Sequence, residues 1–95
     1  MTPAEPPPEL AALIGQVVVL DLRSSYVCLG TLVEVGPQYF TLRDADLHDF
    51  RDSTATREVY VYDSVRLGIR RNRARVQVLR DEVIAVARFR DVLES

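Results

Sequence analysis

Residues Val17 to Leu22 read Val-Val-Val-Leu-Asp-Leu, and Tyr26 to Val35 read Tyr-Val-Cys-Leu-Gly-Thr-Leu-Val-Glu-Val, with only Arg23, Ser24 and Ser25 between them. β-Branched side chains fit a pleated surface and lose rotamer freedom in a helix, so both runs predict strands joined by a turn at Ser24-Ser25. The first run is apolar at every position except Asp21, which predicts burial on both faces or nearly so. The second alternates, with Val27, Leu29, Thr31, Val33 and Val35 on one face and Cys28, Gly30 and Leu32 on the other. A glycine inside a strand marks a bulge, a sharp bend or a close backbone approach, so Gly30 predicts that this long strand curves. Gly36-Pro37 then turns the chain into a third strand, Gln38 to Ala45, with Phe40 and Leu42 inward.

The other end of the chain repeats the pattern. Arg75 to Arg80 predicts a fourth strand, Asp81-Glu82 a tight turn, and Val83 to Phe89 a fifth strand. Ahead of the first strand, Pro8 suits a helix start, Leu10, Leu13 and Ile14 share one helical side, and Gly15 suits a helix end. The first nine residues hold four of the five prolines, so 1–9 reads as a flexible arm and 10–95 as a single domain. The insert, residues 47–72, carries two competing patterns. Val59, Val61, Val65, Leu67 and Ile69 fit a period of two, whereas Val61, Tyr62, Val65 and Ile69 fit a helical stripe, and strand and helix both stand for residues 56–69. Ser53, Thr54 and Thr56 as N-caps, Gly68 as a terminator and arginines in the last turn favour the helix. The expected fold is mainly β: a short N-terminal helix, five short antiparallel strands in a small, strongly bent barrel, and a helical insert between strands three and four.

The segments Leu13-Ile14-Gly15-Gln16-Val17-Val18-Val19-Leu20-Asp21-Leu22 and Tyr26-Val27-Cys28-Leu29-Gly30-Thr31-Leu32-Val33 resemble the first motif of Sm-like proteins. Val76-Gln77-Val78-Leu79-Arg80-Asp81-Glu82-Val83-Ile84-Ala85-Val86 resembles the second. The resemblance implies an Sm-like (SH3-like) barrel that forms rings by pairing the fourth strand of one copy with the fifth of the next. Val76, Val78, Leu79, Ile84 and Val86 are then the subunit contacts, and a monomeric SH3-like barrel is the alternative. It also implies single-stranded RNA as ligand, held near the loop between strands two and three by Gln38 and Tyr39, with Arg80 from the turn between strands four and five. The chain departs from the family pattern at the base-reading pair. Gly36 stands where the family has an aspartate, Phe40 or Thr41 where it has an asparagine, and Asp81 where it has a glycine after the arginine.

Charge adds a second pointer. Residues 1–52 hold eight acids and three arginines, and 53–95 hold six acids and nine arginines; no lysine is present. Arg66, Arg70, Arg71, Arg73, Arg75 and Arg80 form a stretch without an acid, so Arg71 and Arg73 join the candidate nucleic-acid contacts. Asp44, Asp46, His48, Asp49 and Asp52 read as an acidic loop; its uses are pairing with those arginines or, less favourably, a metal site. Tyr60 and Tyr62, flanked by arginines, offer an alternative function as a protein-interaction anchor. No histidine pair, nucleophile elbow or phosphate loop is present, so neither catalysis nor a cofactor nor a bound metal is expected. The lone Cys28 reads as a small buried hydrophobe. No apolar run approaches a membrane span, and Met-Thr-Pro-Ala-Glu-Pro-Pro-Pro lacks the pattern of a leader, which predicts a cytoplasmic location.

Overall fold

A computed structural model describes residues 6–52 and 54–93. Strands β1 (Val17–Leu22), β2 (Tyr26–Val35), β3 (Tyr39–Asp49), β4 (Arg73–Leu79) and β5 (Val83–Arg88) form one antiparallel sheet in the order β4-β3-β2-β1-β5. Helix α1 (Pro8–Ala11) precedes it, and helix α2 (Arg57–Leu67) lies between β3 and β4. Among the described residues no helix is long and apolar enough to cross a membrane.

Strands β4 and β5 occupy opposite edges of the sheet, yet only the short 3-10 turn Arg80–Glu82 joins them. That turn is held at both ends. The Arg80 N–H donates to the Gln38 carbonyl at 2.8 Å, and the Glu82 carbonyl accepts from the Arg23 N–H at 2.7 Å. Gln38 and Arg23 flank opposite ends of β2, whose ten residues would span about 33 Å if straight. A three-residue link with two hydrogen bonds reaches roughly half of that, so β2 and the sheet around it curl strongly. The ladder between β2 and β3 shifts register between Leu29 and Thr31, at Gly30. A Cβ on Gly30 would lie 3.0 Å from the Ala45 Cβ and 3.1 Å from the Arg43 carbonyl oxygen. Gly30 therefore serves as both bulge and close approach.

The curl gives the sheet two apolar cores. Val18, Leu20, Leu22, Cys28, Leu32, Phe40, Leu42, Ala45 and Val78 fill one face, with Leu10 and Leu13 of the N-terminal segment against them. Val19, Val27 and Leu29 fill the other, where α2 supplies Val61 and Tyr60 and the chain end supplies Phe89 and Val92. This double cover explains why β1 is apolar on both sides. Helix α2 begins where the Thr56 hydroxyl accepts from the Val59 N–H at 3.2 Å and ends at Gly68, whose φ of 100° favours glycine. Thr54 caps nothing, and Ser53 lies outside the described residues.

Several boundaries differ from the sequence expectation. Strand β3 runs to Asp49 instead of Ala45, so residues 47–49 belong to the sheet and the acidic stretch is mostly strand. Asp44 takes a left-handed backbone (φ 50°), which shifts the alternation and turns Ala45 and Leu47 toward the core. Strand β4 starts at Arg73, two residues early, and β5 stops at Arg88 because Phe89 turns into the second core. Helix α1 begins at Pro8, inside the segment expected to be a flexible arm, of which residues 1–5 lie outside the described residues.

Gly30→Val should lower stability by about 1–3 kcal/mol, because the new branches must displace Ala45 and the Arg43 carbonyl. Urea denaturation measures this, and an unchanged midpoint would show that the close approach carries no strain.

Candidate nucleic-acid interface

The link between β4 and β5 places three of the candidate residues together. Tyr39 pairs with Leu79 at the end of the β3–β4 ladder, which sets Arg80 beside the turn between β2 and β3. The Arg80 guanidinium donates to the Gly36 carbonyl at 2.8 Å and lies 5.7 Å from the centre of the Phe40 ring. Gln38 is exposed and Tyr39 is 39 % exposed, so both present polar or aromatic surface beside the arginine. Phe40 and Thr41 are buried, so neither presents a side chain to a base. Arg23, which no sequence signal marked, holds the far side of the link: its Nε donates to the Asp81 carbonyl at 2.7 Å. Its role depends on β1 ending beside β5, a pairing invisible in a linear reading.

Arg71 and Arg73 lie elsewhere. Ala45 pairs with Arg73 and Tyr39 with Leu79, so the two ends of β4 stand about 20 Å apart. The acidic stretch does not neutralise them within the chain. Asp44 bonds Arg43 at 3.2 Å, and Asp49 accepts from Ser25 at 2.7 Å and from the Arg51 fork. Hydrogen bonds from Arg51 and then Ser25 hold the Asp49 carboxyl well below the usual carboxylate range. Asp44 and Asp49 thus form no ion pair with Arg66 to Arg75 inside one subunit, and Asp46 feels only the charge of Arg70 from that stretch. For Asp44 and Asp49, a polar side chain close in sequence or strand register reached the carboxylate first.

Asp46 sits in a buried polar cluster under α2. Its carboxylate accepts from the Tyr60 hydroxyl and, at 3.0 Å, from the Asn72 amide. Asn72 also pairs both backbone groups of Leu47, at 3.0 and 3.1 Å, which extends the strand edge. His48 stacks on the Tyr60 ring at 3.8 Å, and its Nε2 is buried without a hydrogen-bond partner among the described residues. Tyr60 thus faces inward and pins α2 to β3; Tyr62 lies in the groove with Val19, Val61 and Val92. Burial pushes the Asp46 carboxyl above its ordinary range, with His48 and Arg70 pulling it back. The Cys28 thiol is fully buried and pushed up to about 12, first by burial and then by Asp46, which makes it unreactive. Among the described residues no three His, Cys, Asp or Glu side chains converge to hold a metal ion.

The candidate subunit contacts divide by strand face. Val76, Val78 and Val86 turn toward the chain's own core, while Leu79 and Ile84 are 49 % and 61 % exposed.

The chain matches no family model and no curated protein. Among solved structures it is similar to the Sm protein of Pyrococcus abyssii in complex with a uridine heptamer, with a TM-score of 0.59 and 15 % identity. The match covers 88 % of this chain and 99 % of that one. The chain therefore has an Sm-like fold.

Asp46 gives a pH test. The folded chain binds its proton more tightly than the unfolded chain does, so the carboxylate subtracts stability as pH rises above its ordinary 3.8. The stability of Asp46→Asn relative to the parent should rise as pH increases above about 4 in urea denaturation. A difference independent of pH would show that the buried charge costs nothing.

Proposed function

We propose that this chain is a non-catalytic Sm-like module that binds single-stranded RNA at the link between β4 and β5 and assembles into a ring of identical copies. One observation carries the reading: Arg80 is fastened to the turn between β2 and β3 through the Gly36 and Gln38 carbonyls, beside the exposed Tyr39 ring. A guanidinium held by one bond keeps its remaining donors for a phosphate, and an aromatic face stacks on any base. The solved Sm protein bound to a uridine heptamer supports RNA as the ligand class. The backbone groups of Gly36 and the side chains of Phe40 and Thr41 give no substitute for an aspartate and asparagine base-reading pair, so stacking and charge dominate. Binding therefore discriminates weakly among bases.

Two bare strand edges support assembly. Among the described residues the outer edges of β4 and β5 pair with no other strand, and unpaired edges invite association unless another strand covers them. Leu79 and Ile84 add exposed apolar surface to those edges.

Anisotropy titrations should show saturable binding of oligouridine and oligoadenine that weakens with salt, the two affinities differing by less than about tenfold. Arg80→Ala and Tyr39→Ala should each weaken binding by about tenfold. No binding at low salt would overturn the RNA reading. Light scattering on the same sample should give a mass several times 10.7 kDa, lowered toward one subunit by Ile84→Glu; a monomeric parent would overturn the ring.

A further inference from the structure

We infer that the outward face of β4, with Arg43 beside it on β3, is a track for the phosphodiester backbone of single-stranded RNA leading away from the Arg80 site. The inference rests on the RNA reading above and adds a second surface to it. Val76 and Val78 turn inward, so Arg73, Arg75, Gln77 and Leu79 project outward, and all four are exposed. Arg43 is exposed on β3 directly opposite Arg75. Like charges facing each other across an antiparallel pair destabilise the sheet.

Among the described residues little relieves that repulsion. The Arg43–Asp44 contact is a single 3.2 Å bond between side chains 59 % and 44 % exposed, which contributes little. Arg73 donates to the Asn72 carbonyl, and Arg71 and Arg75 have no partner among the described residues. Asp46 and Asp49, the acids that follow on β3, are taken by Tyr60 and Asn72 and by Ser25 and Arg51. Glu34, opposite Thr41 on β2, is the remaining acid that borders the row. A bridging anion is what this arrangement lacks.

Two features suit a phosphodiester chain, and the second selects it over an acidic peptide. Arg73 and Arg75 repeat every second residue, about 6.6 Å apart, and each fork can grip a phosphate through two bonds. The same row ends at the exposed Tyr39 ring and Leu79, beside Arg80, where a base finds a stacking surface. One strand of RNA following β4 thus meets charge at one end and an aromatic ring at the other. An acidic peptide would use only the first.

The test compares a heptanucleotide, whose nucleotides the ring reading spends on the Arg80 sites of successive copies, with a twenty-nucleotide oligouridine, using the parent and the double variant Arg73→Gln, Arg75→Gln. The parent should bind the long RNA about tenfold more tightly, and the double variant should bring it to the heptanucleotide's level. The slope of log affinity against log salt should fall by about 1.4, two contacts' worth, with heptanucleotide binding unchanged. Arg75→Gln alone should raise the melting temperature of the free protein, because it removes the repulsion with Arg43. Polyglutamate of equal charge should not displace the long RNA. Long-RNA affinity unaffected by the double variant, or displacement by polyglutamate, overturns the track. Heptanucleotide binding that survives alongside that result leaves the Arg80 site standing, whereas loss of heptanucleotide binding alone removes the Arg80 site and leaves the track.

Discussion

A three-residue link tied to both ends of a ten-residue strand is the constraint on which this structure depends. Because Arg80 must reach Gln38 while Glu82 reaches Arg23, β2 has to bend, and the bend falls where Gly30 lets Ala45 approach. The same link brings Arg80, Gln38 and Tyr39 to one place. Fold and candidate site share one cause: residues that close the sheet also leave a guanidinium, an amide and a ring together at its rim.

Acids and arginines are divided between different tasks. Asp46 is consumed in holding α2 against β3, and Asp49 in fastening the strand end to Ser25 and Arg51. Asp21 takes Arg57 at 3.4 Å, which ties the start of α2 to β1. These three carboxylates are thus structural, while the arginines of β4 remain in solvent. A chain with a net charge of −2 can therefore carry a surface of the opposite sign.

Strands β1 and β2 were legible because β-branched runs have few other uses, and Thr56 and Gly68 marked the helix ends through local backbone chemistry. The end of β3 was not legible. Asp46, His48 and Asp49 look like a solvated loop in sequence, yet α2 covers Asp46 and His48 and supplies Tyr60 as partner. Asn72 and Arg23 escaped notice for a related reason. Each acts on a segment distant in sequence, Arg23 on the link and Asn72 on β3, and no local pattern announces which strands become neighbours. Arg71 and Arg73 were grouped with Arg80 by sequence proximity, whereas the extended length of β4 holds them apart at its opposite ends.

The bare edges of β4 and β5 differ from each other in length and in the side chains they carry. Pairing one with the other is head to tail: every copy gives one edge, receives a different one, and still shows a free edge of each kind to the next. Such a contact has no two-fold partner to stop at. It closes only if the rotation between neighbours divides a full turn, and otherwise it propagates as an open helical filament. The angle between two edges of a ninety-five-residue chain would then decide whether the assembly is finite.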